Sequence, residues 1–228
     1  MAALGNASEM TKRFQTISPV DGSLVFERAL DEAAAIERTL ARGRAAFVSW
    51  RQTALAERCS MLRRFIEAAV DDSDAVAREL TMQMGRPIRD GAGEIGGWLL
   101  RGRTMIDLAG EGLADIQLGD KEWFTRLLRR EPIGLEFVVA PWNDPLLNSV
   151  NAIVPALVAG NPVVLKHSEQ TPLVAERIRS AAEAAELPEG VLQILYLDHD
   201  GVADVIRDDR VAFVAFTGSV GGGHAIQD

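Results

Sequence analysis

The stretch from Glu131 to Pro172, EPIGLEFVVAPWNDPLLNSVNAIVPALVAGNPVVLKHSEQTP, constrains the fold more than any other part of the chain. Leu135–Ala140 is a continuous apolar, β-rich run, the pattern of a strand buried on both faces of a parallel sheet. Asp144-Pro145 predicts a helix start, with Asp as N-cap and Pro at the first helical position. The helix is apolar over most of its surface, through Val150, Ile153, Val154, Leu157 and Val158, and Gly160-Asn161-Pro162 stops it. Val163–Leu165 predicts the next buried strand. Strand, helix and strand in this order make a βαβ unit, and ligands of such sheets collect at the carboxyl ends of the strands. Two polar clusters fall there: Pro141-Trp142-Asn143 after the first strand and Lys166-His167-Ser168-Glu169 after the second. The site is expected at those ends.

The flanking sequence extends the same pattern. Residues 1–18 read as a mobile arm, with Ser18-Pro19-Val20-Asp21-Gly22 a turn between two short strands. Asp31 to Trp50 reads as a helix. Leu55, Cys59, Leu62, Ile66 and Ala69 recur at spacings of four, three, four and three, an amphipathic helix with Cys59 on the apolar stripe. Asp74 to Met84 and Ile88 to Ala109 predict two more helices, the second carrying Gly91, Gly93, Gly96 and Gly97, which close helix packing would explain. Leu113 to Arg130, around Gly119-Asp120-Lys121, predicts a hairpin. Beyond the central unit come a helix from Pro172 to Ala185 capped by Thr171, a strand at Val191–Leu197, a short helix at Gly201–Ile206 and a strand at Val211–Phe216. Gly218-Ser219 then turns into a further helix. The expected architecture is α/β: a parallel Rossmann-like sheet with flanking helices, preceded by a helical N-terminal region and a β-hairpin. The division expected is 1–130 for the arm, helices and hairpin, and 131–228 for the first part of a nucleotide-binding unit.

Composition excludes several functions. A net charge of −9 over 228 residues opposes a nucleic-acid backbone or an anionic membrane surface, both of which require basic patches. No apolar run reaches the roughly 18 residues needed to span a bilayer. The N-terminus has no apolar signal core, and a single cysteine, Cys59, suits a reducing cytoplasm rather than a disulfide framework. Cys59 lies mid-helix without a nearby histidine, which makes it a structural thiol rather than a nucleophile. His167, His199 and His224 show no metal-ligand spacing, so no metal is expected.

Several motifs carry a family resemblance. Pro141-Trp142-Asn143, Pro155-Ala156-Leu157, Gly160-Asn161, Lys166-x-x-Glu169-Gln170-Thr171-Pro172, Leu187-Pro188-x-Gly190-Val191 and Phe216-Thr217-Gly218-Ser219 occur in that order. Together they resemble the coenzyme-binding half of the aldehyde dehydrogenase superfamily. The resemblance implies NAD as cofactor, with NADP possible, a small-molecule aldehyde as substrate, and a homo-oligomer in which the hairpin serves as an arm.

Taken as residues alone, Asn143 could cap the following helix or donate from its carboxamide to an oxyanion; the resemblance implies the second, at a thiohemiacetal oxygen. Lys166 and Glu169 could be a solvated ion pair at a strand end or could bracket an adenosine ribose, with Ser168 between them. The resemblance implies the ribose, where a carboxylate accepts from both hydroxyls and repels a 2′-phosphate. Trp142, beside Pro141, either lines the coenzyme groove or packs as core. Gly218-Ser219 lies where a helix N-terminus offers N–H groups to a pyrophosphate, although Gly221, Gly222 and Gly223 depart from the family pattern and weaken that helix by about 1 kcal/mol each.

Aldehyde dehydrogenases oxidise through a cysteine thiolate and release the acid with a glutamate, carried in Gly-Gln-x-Cys and Glu-Leu-Gly-Gly stretches. Neither stretch occurs in these 228 residues. The expectation is therefore the amino-terminal half of an NAD(P)-dependent aldehyde dehydrogenase, inactive by itself, with the catalytic and oligomerisation domains absent. The alternative is a non-catalytic nucleotide-binding or interaction module derived from that family.

Overall fold

A computed structural model describes residues 12–119 and 121–227. The chain opens with the antiparallel strands β1 (Arg13–Ile17) and β2 (Leu24–Ala29). Helices α1 (Ala33–Trp50), α2 (Leu55–Ala68) and α3 (Ser73–Met84) follow. After a 3₁₀ turn at Ile88–Asp90 come α4 (Gly91–Asp107) and the short α5 (Ala109–Gly112). Strands β3 (Ile116–Gln117) and β4 (Leu127–Leu128) form a small antiparallel ribbon. The remaining elements alternate: β5 (Leu135–Val139), α6 (Pro145–Ala159), β6 (Val163–Lys166), α7 (Pro172–Ala184), β7 (Leu192–Ile194), α8 (His199–Ile206), β8 (Val211–Phe216) and α9 (Val220–Gln227).

The central sheet is wholly parallel and runs β7-β6-β5-β8. From β5 the chain winds outward through β6 to β7, and β8 then returns to the opposite side of β5. Alternation along β5 divides the apolar residues between two faces. Leu135 and Phe137, with Val164, pack against Leu40 of α1 and Val205 of α8. Val138, Val163 and Leu165 join the larger core, which is built from α2, α3, α4, α6 and α7. The N-terminal helices thus share a core with the βαβ unit, and α6 is wedged between the sheet and this helical layer.

The α/β architecture expected from the sequence is the one observed, with four local differences. The arm is shorter, since residues 13–17 form β1; residues 1–11 lie outside the described residues, as does Asp120 in the β3–β4 hairpin. The third strand stops at Ile194 because Tyr196 turns its N–H to the Asp31 carboxylate, 2.8 Å away, instead of to a neighbouring strand. The short helix expected from Gly201 begins two residues earlier, at His199, because Asp198 caps it by accepting from the Gly201 N–H at 3.0 Å. Cys59 is half-buried rather than buried, with Sγ 4.0 Å from the Ile106 carbonyl. Close packing accounts for two of the four glycines noted in α4. A Cβ on Gly91 would stand 2.6 Å from that of Ala77, and one on Gly97 would overlap the Leu147 side chain, whereas Gly93 and Gly96 face open space.

Candidate active-site rim at the strand ends

Strand register sets the geometry of the site. Val139, the last residue of β5, lies opposite Lys166 on one side and Phe216 on the other. The three strands therefore end level, and Pro141-Trp142-Asn143, Lys166–Glu169 and Gly218-Ser219 leave three adjacent strands at one edge. Because the chain runs from β5 towards β6 but returns to β8 on the far side, the switch point of the topology lies between β5 and β8. Crevices at such points are where open α/β sheets bind ligands.

Asn143 has an exposed side chain and does not cap α6. Asp144 occupies the N-cap position, yet its side chain makes no capping bond either. Glu94, reaching across from α4 with its side chain fully buried, supplies the cap: its Oε1 accepts from the Leu146 and Leu147 N–H groups at 2.8 and 3.1 Å. Burial raises the pKa of Glu94, opposed by these bonds and by Arg86. The Arg86 Nη1 lies 3.2 Å from Glu94 Oε2, within ion-pair range but outside hydrogen-bond geometry. Arg86 Nη2 donates to the Asn143 carbonyl at 2.6 Å and to Asp144 Oδ1 at 2.9 Å. The Asn143 amide nitrogen in turn donates to Asp144 Oδ2 at 3.2 Å. Trp142 is 51% exposed, so it is not core. Pro141 is half-buried.

On the β6 side, burial lowers the Lys166 pKa, against the opposing pull of the Glu169 and Asp198 carboxylates. Among the described residues no carboxylate comes within ion-pair distance of Lys166. The Glu169 side chain is exposed and its carbonyl accepts from the Thr16 hydroxyl at 2.7 Å, which ties the β1–β2 hairpin to the rim. Ser168 Oγ accepts from the Gln170 N–H at 3.2 Å and so shapes its own turn. Thr171 stands at the N-cap of α7 but does not cap it. Gln83 of α3 does so instead, its Oε1 accepting from the Leu173 N–H at 2.8 Å. The Thr171 hydroxyl faces His167.

His167, for which the sequence offers no role, closes this side of the rim. It is buried, with Nε2 3.3 Å from the Pro145 carbonyl and Nδ1 3.3 Å from Thr171 Oγ1. A carbonyl only accepts, so Nε2 carries the proton and Nδ1 accepts from the threonine. Burial holds the imidazole neutral, with its pKa pushed down to about 4.

On the β8 side, Ser219 Oγ accepts from the Gly222 N–H at 3.1 Å and its carbonyl from the Gly223 N–H at 3.0 Å, so Ser219 caps α9. Gly218 is required by contact, since a Cβ there would stand 2.5 Å from the Phe216 ring. Gly222 meets the same ring, at 2.9 Å, while Gly221 faces open space. Of the three glycines in the run that weakens the helix, only Gly222 thus has a packing reason.

A cavity of about 660 Å³ opens below this rim and reaches the strand ends only at Val139, Ala140, Phe216 and Thr217. It lies on the α6 face of β5 and β8, and is lined by Glu136, Val138, Asn148, Ala152, Phe213 and Thr217 among others, with none of the eight predicted site residues. Glu136 is the titratable group in it: desolvation pushes its carboxyl up to about 7. A carboxylate inside the apolar run LEFVV was the available sequence signal. Arg86, Glu94 and Gln83 had no such signal, because they act on residues far along the chain. No group of three or more metal-ligating side chains occurs among the described residues, and no helix there is long and apolar enough to cross a membrane.

A parallel sheet with a switch point, three level strand ends and an exposed carboxamide at the central one defines a nucleotide-type α/β unit. Comparison with known proteins carries the assignment further. The aldehyde dehydrogenase family matches over residues 6–228, and the chain belongs to that family. It is 30% identical over 210 residues to malonate-semialdehyde dehydrogenase 2 of Bacillus mycoides (strain KBAB4), covering 89% of this chain and 42% of that protein. It is 31% identical over 214 residues to a succinate semialdehyde dehydrogenase of Escherichia coli (strain K12) whose name gives NAD(P)+, covering 92% and 46%. Among solved structures, the succinic semialdehyde dehydrogenase of Streptococcus pyogenes in complex with NADP+ superposes with a TM-score of 0.88 at 27% identity, over 94% of this chain and 47% of that one. The chain spans about half the length of the relatives it matches, and corresponds to their amino-terminal half.

Proposed function

We propose that this chain is the coenzyme-binding, amino-terminal half of an NAD(P)-dependent aldehyde dehydrogenase that oxidises an aldehyde to a carboxylic acid through a cysteine thiohemiacetal. The single observation that supports it best is the level ending of β6, β5 and β8, which puts Lys166–Glu169, Asn143 and Gly218-Ser219 on one edge beside the switch point. In this reading Asn143 donates from its exposed amide to the oxyanion, Lys166 and Glu169 hold the adenosine ribose, and Trp142 with Pro141 lines the groove. Ser168 shapes the β6 turn, and the Gly218-Ser219 turn faces the pyrophosphate. The nicotinamide accepts the hydride when the coenzyme is bound. The cysteine and glutamate of the reaction are not among these residues, so the chain by itself turns over no aldehyde.

Residues 131–228 are the first part of the coenzyme unit and residues 1–130 its arm, helices and hairpin, of which the described helices α2, α3 and α4 share a core with the βαβ unit. The β3–β4 hairpin, with Trp123 91% and Phe124 63% exposed, is the surface that meets a second copy in a homo-oligomer. The cytoplasm is the compartment. The exposed Glu169 carboxylate favours NAD over NADP, while the Lys166 ammonium, which no carboxylate neutralises at ion-pair distance, lets a 2′-phosphate be tolerated.

Calorimetric titration of NAD and of NADP into the chain tests the reading, with saturable NAD binding expected. Glu169→Gln is expected to weaken NAD more than NADP. Equal effects on the two coenzymes would remove Glu169 from the ribose, and absence of binding by either would favour an interaction module without coenzyme.

A further inference from the structure

We propose that Asp144 and Arg86 are positioning residues that fix which way the Asn143 carboxamide faces, an inference that rests on reading Asn143 as the oxyanion donor. A carboxamide at the end of a strand can present either its oxygen or its nitrogen to a substrate, and only the nitrogen donates. Here one N–H of Nδ2 is given to Asp144 Oδ2 at 3.2 Å. A carboxylate repels the amide oxygen, so the bond settles the flip and leaves the second N–H of the same nitrogen to donate elsewhere.

Asp144 could not do this alone, because its side chain is 45% exposed and would lose rotamer freedom for one weak bond. Arg86 holds it. Its side chain is only 18% exposed, and its Nη2 grips both Asp144 Oδ1 and the Asn143 carbonyl, fixing the turn at two points. Arg86 is itself set against the wholly buried Glu94, whose other oxygen caps α6. The relay runs from a buried carboxylate on α4, through a guanidinium, to an exposed amide.

One feature separates this from simple charge neutralisation. Glu94 already caps α6 with Oε1. Arg86 leaves its own Nε and Glu94 Oε2 buried without a hydrogen-bond partner, an arrangement that lowers stability. What the guanidinium gains in exchange is its hold on residues 143 and 144.

The test is a double-mutant cycle on kcat in the full-length enzyme that carries these residues, assayed with NAD and a panel of acetaldehyde, succinic semialdehyde and benzaldehyde. Asn143→Ala is expected to lower kcat by about 10²–10³-fold, the usual loss for one oxyanion donor. Asp144→Ala is expected to lower kcat by about 10-fold with both KM values within about twofold, and to change kcat by less than about twofold when Asn143 is already alanine. Arg86→Ala strands the Glu94 charge and risks unfolding, so Arg86→Lys is used; it keeps the charge, loses the fork and is expected to fall between wild type and Asp144→Ala.

If Asn143→Ala leaves kcat unchanged, the oxyanion reading fails and the positioning role fails with it. If Asn143→Ala behaves as expected but Asp144→Ala has no effect, or an equal effect in both backgrounds, the positioning role alone is overturned. In the 228-residue chain itself, Asp144→Ala is expected to move the Asn143 side-chain amide proton signals towards free-amide values. Unmoved signals in a folded variant would overturn the inference independently of any activity.

Discussion

β6 and β8 flank the same central strand and end at the same level, yet they are supported very differently. Val163, Val164 and Leu165 of β6 are completely buried, and its end is closed by His167, Thr171 and the Thr16 bond from the β1–β2 hairpin. β8 has no completely buried side chain, Phe213 is 51% exposed, and the 660 Å³ cavity lies along its α6 face. Its end passes through an exposed Gly218-Ser219 turn into a helix with three glycines. The half of the rim assigned to the ribose is therefore rigid before anything binds, while the half assigned to the phosphates has slack. Preorganisation reduces the ordering cost of binding, so the first half would supply orientation and the second adaptation.

The largest expected effect tests that contrast directly. Leu165→Ala on β6 should destabilise the chain by about 3 kcal/mol, through lost burial and an unrelaxed cavity. Phe213→Ala on β8 removes a larger side chain but should cost only about 1 kcal/mol, since half of it is already in water. Urea unfolding of the two variants measures both. Equal losses would mean that β8 is as firmly built as β6 and would erase the distinction.

The rigid half was legible in the sequence, and its reinforcement was not. The run of apolar residues in β5, the Asp144-Pro145 start, the Gly160 stop and the buried β6 triplet are all local signals, and each element formed where those signals placed it. The caps misled. Asp144 and Thr171 stand at N-cap positions with side chains of the right type, but Glu94 and Gln83 occupy the N–H groups from 52 and 90 positions away. A local pattern cannot register a competitor that arrives through the tertiary fold. The same competition released Asp144 to hold Asn143 and Thr171 to hold His167. The positions of Asn143, Lys166 and Glu169 at strand ends could thus be read from sequence, while the bonds of Asp144 and Arg86 to Asn143 could not.

The two flanks should also answer pH in opposite directions. His167, beside β6, has its pKa depressed from 6.5 to about 4. Its unfolded form binds the proton first on acidification, so its contribution is intact above about pH 6.5 and is lost as pH falls towards 4, by roughly 3 kcal/mol in full. Glu136, on the cavity side, has its pKa raised from 4.5 to about 7. The folded state there retains the proton, so its contribution is intact below about pH 4.5 and is lost as pH rises towards 7. The carboxylate reaches the cavity, which reduces the magnitude to about 2 kcal/mol. The slopes oppose each other and partly cancel in the wild type. Glu136→Gln should expose the histidine slope, matching wild type at pH 4 and exceeding it in stability at pH 8. A gap that is the same at both pH values would show that Glu136 is fully solvated, and with it that the cavity side is no weaker than the β6 side.

The smallest effect concerns what seats α9 at the end of β8. Gly221 faces open space, so Gly221→Ala should gain up to about 1 kcal/mol from helix propensity alone. Gly222→Ala offers the same propensity, but its Cβ would stand 2.9 Å from the Phe216 ring and 3.2 Å from the Ser219 hydroxyl that caps the helix. It should gain nothing and should speed hydrogen exchange at the Gly222 amide, which donates to that hydroxyl. The two variants separate flexibility caused by sequence from flexibility that packing requires. If both stabilise α9 equally, the ring contact does not hold the turn, and the slack on the β8 side extends up to Phe216 itself.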